Sequence, residues 1–418
     1  MATTVANTSA PATNVTLLFS RIRALLTEPL RVTGTELPEN VLLMAKVITL
    51  AFIATGQFRL FSWHFLPFVP LFDRMGSPAL FHWTLVAIFL AAGAALFFNR
   101  RVRLCCLVLG GVLTISLLSS RMYFENNRTY CACILMLAGL CAQGQKPWPL
   151  RFQVVLVYFG AAMNKLLDQD WRSGQFFAYW FGQIHHPQLW AQMTALIPAM
   201  PLAKFFCWTT IITELILVAG FLVPRWYGWA ILLGAAYHTA LLVVMNSTFG
   251  MFYYAMLASY LAFVEWPKPP LVVVYDNQRR SLDSIRRFFV WVDTAGQFTW
   301  VPFHSQPAPS DLALKQPQNS LLLLYQGKVL RGFAAFKRLL LWNPLFYFGY
   351  VILLGRQPRF FQYHRWVAVF VLAMFTPFLA FAGESAYQWI LHRRQQFSGD
   401  PMEEGRPPAC PVSKAMDD

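Results

Sequence analysis

Apolar stretches of about 20 residues, the length a helix needs to cross a bilayer, recur at roughly 41–59, 79–98, 103–120, 129–144, 150–167, 203–222, 226–246 and 248–265. Lipid offers no water to an exposed backbone N–H or C=O, so a chain built this way must satisfy its backbone inside helices. The expected fold over 39–267 is therefore an all-α polytopic membrane bundle of about eight spans. Only 13% of the 418 residues are charged, against about 25% in soluble domains, which excludes an ordinary soluble enzyme.

Charge placement agrees with that count. Arg21, Arg23 and Arg31 precede the first stretch; Arg100, Arg101 and Arg103 follow the second, Lys146 and Arg151 the fourth, Arg225 the sixth and Lys268 the eighth. With eight spans these all share one face, while the other carries mixed charge: Asp73 and Arg74, Glu125 and Arg128, and Asp168, Asp170 and Arg172. The positive-inside rule then places both the N-terminal tail (1–38) and the region after 268 in the cytoplasm. The excess of 34 basic over 19 acidic residues points to lipid headgroups as a partner. No basic-aromatic cluster argues for nucleic acid. Seven cysteines fall mostly within apolar runs and show no CxxC spacing, so they read as small core residues. The first 17 residues are Ser, Thr, Ala and Asn-rich, and a cleaved signal peptide is not expected there.

Beyond the stiff WPKPP linker (266–270) the pattern changes. LVVVYD (271–276) predicts a buried strand, 281–296 an amphipathic helix stopped by Gly296, and 297–303 a second strand. A hairpin follows over 320–332, turning at Gln326-Gly327, and a helix over 333–342. This order over 271–345 predicts a small thioredoxin-like α/β domain on the cytoplasmic side. Arg279, Arg280, Arg286 and Arg287 form a basic face on it, read as solvated near anionic lipid. Hydrophobic helices are expected over 346–396, where 366–383 is long enough to span or to lie in the interface. The polar tail, 397–418, is expected to be disordered.

A few ionisable residues interrupt the spans. Lys165, near the end of the fifth, reads either as a desolvated amine able to act as a base or as a lysine whose ammonium snorkels to the interface. Glu214 lies mid-span in CWTTIITELILVAGF, where a carboxylate must be paired or protonated; Lys165, Arg128 and His238 are the candidate partners. His238, in AAYHTALLV, reads as a core histidine or as part of the same site. Asn126, Asn127 and Arg128 form either a polar extracytoplasmic loop or the mouth of a pocket for an anionic or quinone headgroup. Trp171 and Gly174 read as an interfacial anchor and a tight turn. His185-His186 lacks ligand-spaced neighbours and is not expected to hold a metal.

Four segments together carry a family resemblance: SSRMYFENNRTYCACILMLAGL (119–140), YFGAAMNKLLDQDWRSG (158–174), ITELILVAGFLV (212–223) and AYHTALLVVMNSTFGMFYYAMLASYLAFVEWP (236–267). The region 40–267 resembles the HTTM family, the membrane domain shared with vitamin K-dependent gamma-carboxylase. The resemblance implies a membrane enzyme in which Lys165 is the base acting on a reduced quinone. Glu214 and His238 would tune it or relay protons, and Asn126, Asn127, Arg128 and Trp171 would receive the substrate. The chain departs from the carboxylase in carrying Arg128 where the family has histidine, in one extra residue between Lys165 and Trp171, and in lacking a large extracytoplasmic region. Likewise 271–345 resembles the DCC family of thiol-disulfide oxidoreductases, but Arg279 and Leu282 occupy the cysteine positions. Dithiol exchange needs both thiols, so this domain is read as structural or partner-binding.

The expectation is thus a quinol-dependent membrane enzyme of the bacterial cytoplasmic membrane, with a peptide or protein as a further substrate. The alternative is a non-catalytic scaffold or accessory factor for peptide maturation or export. A transporter is disfavoured, since the sequence holds no inverted repeat.

Overall fold

The computed structural model describes residues 22, 25–61, 65–74, 76–185, 188–245, 250–267, 271–277, 280–293, 296–303, 321–325, 327–355, 361–376 and 383–389. The chain is mostly helical, with one small sheet. Its membrane part runs through α1 (Glu39–Ala54), α2 (Pro78–Phe97), α3 (Val102–Ser119), α4 (Asn126–Leu140) and α5 (Trp148–Leu167). Three short helices follow, α6 (Gln169–Ser173), α7 (Gln175–Tyr179) and α8 (Gln188–Thr194), then α9 (Ala199–Leu222), α10 (Tyr227–Met245) and α11 (Gly250–Ser259).

Among the described residues, five helical segments are long and apolar enough to cross a membrane: Pro78–Phe97, Val102–Ser119, Trp148–Leu167, Ala199–Leu222 and Pro224–Val244. The other three expected spans are helices too, but shorter. The first, α1, has 16 residues and is buried almost all round from Asn40 to Phe52, as a helix without a polar face must be. Gly56, at φ 71°, ends it and leads into a 3-10 turn over Gln57–Leu60. The fourth has 15 residues. The eighth is α11 continued by a 3-10 turn over Tyr260–Phe263.

Small residues set the close helix approaches. A Cβ on Gly110 would lie 2.9 Å from the Met136 nitrogen and 3.0 Å from the Ala132 oxygen, and one on Gly139 would lie 2.8 Å from the Arg103 oxygen. Backbone-to-backbone contact of α3 with α4 is therefore possible only without side chains at these two positions.

The sheet comprises β1 (Leu271–Tyr275), β2 (Phe298–Pro302), β3 (Leu322–Tyr325) and β4 (Lys328–Arg331) in the order β2-β1-β3-β4. β1 pairs parallel with β2 and antiparallel with β3, and β3 pairs antiparallel with β4. Helices α12 (Arg280–Val292) and α13 (Gly332–Leu341) both pack on the face formed by Val273 and Leu323, through Phe289, Val292, Ala335 and Leu339. The expected strands and helices therefore appear at the expected places, with α12 ending at Val292 instead of running on to Gly296. Gln326 of the expected hairpin turn lies outside the described residues.

The chain then returns to the bundle. Helix α14 (Pro344–Gly355) packs on α1, with Phe348 against Phe97 at 5.6 Å, and the Tyr350 hydroxyl meets that of Tyr253. Trp266 touches both the bundle core and the sheet core. Within the expected span 366–383, helix α15 (Phe361–Phe375) covers the first part and 377–382 lie outside the described residues. A last short helix covers 383–389.

Replacing Gly110 by leucine should lower bundle stability by about 1–3 kcal/mol, because backbone atoms of α4 cannot move aside. Thermal unfolding in detergent checks this, with Gly111→Leu as the control, since a Cβ there meets open space.

Candidate functional site

Helix α5 carries its polar residues along one stripe. Arg151, Tyr158 and Lys165 recur every seventh residue, so they lie two turns apart on one face, which also buries Val154, Val155 and Ala162. Each of the three meets a different part of the bundle.

At the far end of the stripe Lys165 meets Glu214. The ammonium donates to both carboxylate oxygens, at 2.8 and 2.9 Å, and to the carbonyl of Ala161 at 3.3 Å. Ala161 lies one turn back toward the start of α5, so the ammonium turns away from the helix end. A snorkelling lysine would do the opposite. The side chains of Lys165 and Glu214 are 18% and 6% exposed, and Glu214 sits 15 residues after the first residue of the 24-residue α9. Tyr237 of α10 donates its hydroxyl to Glu214 at 3.1 Å. Three helices thus converge on one carboxylate. Trp171 covers the pair, its ring centroid 5.1 Å from the Lys165 nitrogen and 4.4 Å from the stacked Phe176 ring. The turn that brings Trp171 there depends on Gly174, at φ 92°, where a Cβ would lie 2.7 Å from the Lys204 nitrogen.

His238 is adjacent to this cluster but bonded elsewhere. Its Nε2 lies 2.7 Å from the Tyr158 hydroxyl, which in turn meets the hydroxyl of Tyr260. Gly234, one turn before His238, leaves the space that the Tyr260 ring occupies. The histidine and tyrosine rings of Tyr237-His238 stand edge to face at 5.1 Å. The amine and carboxylate therefore meet as expected, and the imidazole belongs to a second hydroxyl network beside them.

Asn126, Asn127 and Arg128 lie at the start of α4, and Arg128 is committed to its own surroundings. It donates to the Gln57 side chain at 2.9 and 3.1 Å and to the Tyr123 carbonyl at 2.6 Å, pairs with Glu125 at 3.2 Å, and covers the Tyr123 ring at 4.0 Å. Asn127 accepts from the Arg128 amide at 2.6 Å, and Asn126 is exposed. Arg128 does not pair with Glu214, and these three residues are not brought to the Lys165 cluster by any described contact. The reason is the short loop before α4, which holds the guanidinium against Tyr123 five residues away.

Sequence reasoning missed three participants of the site and the burial of two cations elsewhere in the bundle. Tyr158, Tyr237 and Tyr260 lie in apolar runs, although the seven-residue spacing of Arg151, Tyr158 and Lys165 is a readable signal. Lys46 is fully buried in α1 and donates to three carbonyls, those of Pro29, Arg31 and Phe97, at 2.9, 2.8 and 3.2 Å. Its place within ENVLLMAKVITL was the available signal. Arg151, read as a surface charge, is buried in the first turn of α5, where it donates to the Ala262 carbonyl at 2.8 Å and lies over the ring of Tyr227.

The side chains of His185 and His186 lie outside the described residues, and among those described no group of three or more His, Cys, Asp or Glu is placed to hold a metal. Leu282, in a cysteine position of the redox-like motif, is fully buried and packs with Phe333 and Tyr387; Arg279 lies outside the described residues. No protein-family model, curated protein or solved structure matches the chain.

Removing one partner of a buried pair leaves an uncompensated charge, which costs about 3–5 kcal/mol. Glu214→Leu and Lys165→Met should each lower thermal stability markedly, and the double variant should recover most of the loss. A double-mutant cycle on the purified protein checks the sign of that coupling.

Proposed function

We propose that the chain is a multi-pass membrane enzyme of the HTTM type that performs acid–base chemistry on a lipid-soluble substrate bearing an acidic hydroxyl, such as a quinol. The Lys165–Glu214 pair carries the reading. In this largely enclosed site, the ion pair and its neutral form, amine plus carboxylic acid, differ by one proton moved between atoms 2.8 Å apart. The neutral amine is then the base: it takes the proton of the substrate hydroxyl and becomes ammonium, leaving an oxyanion on the substrate. Glu214, held by Tyr237, stores the proton that the amine released. His238, Tyr158 and Tyr260 form the neighbouring relay, and Trp171 offers a flat apolar wall beside Lys165.

In this reading the bundle crosses the bacterial cytoplasmic membrane eight times, with the N-terminus and the α/β domain in the cytoplasm. Strand order, the single antiparallel central strand β3 and the shared face of α12 and α13 support a thioredoxin-like domain. A buried Leu282 in place of a thiol supports a structural or partner-binding role for it. The competing reading, a non-catalytic scaffold or accessory factor for peptide maturation, is favoured by one observation. Arg128 has its donors turned inward, so it offers nothing to a headgroup.

Arginine in place of Lys165 keeps the ion pair but cannot give up its proton. The protein purified in mild detergent is expected to retain a lipid-soluble quinone, detectable by mass spectrometry. Lys165→Arg is expected to fold and to bind it while losing any turnover of the reduced form. A protein that retains no such molecule but holds a stoichiometric protein partner favours the scaffold, and full turnover by Lys165→Arg removes the base.

A further inference from the structure

Helix α12 has two apolar faces. Leu282, Ile285, Phe289 and Val292 pack toward the sheet. On the outer side Phe288 is 48% and Trp291 54% exposed, three residues apart on one face. Arg287 stands beside them with its side chain 68% exposed. Asp283 pairs with both Arg286 and Arg287, at 2.8 and 3.1 Å, so two guanidinium groups share one carboxylate and positive charge is left over.

The far end of α12 is also close to the rim of the bundle. Val292 and Asp293 line a crevice with Leu30 and Val32. The carbonyls of Pro29 and Arg31, beside those two residues, hold Lys46 together with the carbonyl of Phe97, the last residue of the membrane-length helix α2. Trp291 is therefore next to a residue that packs at the level where a membrane-crossing helix ends. An exposed aromatic pair beside an exposed arginine at that depth has the chemistry of an interfacial helix.

We propose that the outer face of α12 rests on the leaflet at its own side of the membrane, with Phe288 and Trp291 among the upper acyl carbons and Arg287 against the phosphates of anionic phospholipid. The α/β domain is then held to the bilayer by a surface contact as well as by its two covalent connections to the bundle. This goes beyond the acid–base reading and does not depend on it.

The test uses the full chain in nanodiscs of phosphatidylcholine, with or without phosphatidylglycerol, doped with a phospholipid carrying a photoreactive group near its glycerol. Mass spectrometry should find lipid adducts on 280–293, more of them with phosphatidylglycerol. Phe288→Ser with Trp291→Ser should remove these adducts while labelling of α2 stays unchanged. Arg287→Gln should reduce the phosphatidylglycerol preference about fivefold. Adducts confined to the membrane helices overturn the proposal, as does labelling of α12 that survives both serines. Equal labelling in the two lipids overturns the assignment to anionic lipid, and a co-purifying protein crosslinked to Trp291 assigns the face to that protein instead.

Discussion

Each buried cation of the bundle described here is met by oxygen from another segment of the chain, and that requirement fixes how the helices sit. Charge in a low-dielectric interior is tolerated only when its donors are filled. Lys46 ties the N-terminal segment and the end of α2 to the enclosed α1 through three carbonyls. Arg151 ties α5 to the turn after α11 through the Ala262 carbonyl. Lys165 ties α5 to α9 through Glu214. A sliding or rotation of α5 by one residue would break two of these ties at once, because both cations lie on the same stripe.

The three cations are not chemically equivalent. Lys46 and Arg151 donate to backbone carbonyls, which cannot take a proton, so their contribution is to register and packing. Lys165 donates to a carboxylate. Among the described residues this is the ion pair that joins two membrane-length helices, and its two side chains can exchange a proton. Glu214 in turn receives Tyr237, and the next residue, His238, begins a second hydroxyl network through Tyr158 and Tyr260. Two adjacent residues of α10 therefore serve two separate clusters with different partners.

The small α/β domain is built into the bundle at several points. Trp266 belongs to both cores, α14 leads straight back onto α1, and Glu384 in the last short helix accepts the Phe333 amide at 2.7 Å, at the start of α13. Leu282 is enclosed by Phe333 and Tyr387. This apolar residue is part of the contact by which the last short helix packs on that end of the domain.

The amino-acid pattern alone determined a good deal: the helical membrane bundle, the described strands and helices over 271–345, and Lys165 and Glu214 as residues that needed an explanation. These follow from local rules, since apolar run length, alternation and the expense of a mid-span charge act over a few turns of chain. What only the tertiary structure decided is who answers each charge. Lys165 and Glu214 are 49 positions apart, Lys46 and Phe97 are 51 apart, and Tyr158 and His238 are 80 apart. Nothing local distinguishes Arg128, which turned to Gln57 and its own loop, from Lys165, which turned to Glu214 of another helix. The rotation and depth of each helix make that choice, and they are set by packing at positions such as Gly110 and Gly139, where the reason for a missing side chain is visible only in the neighbouring helix.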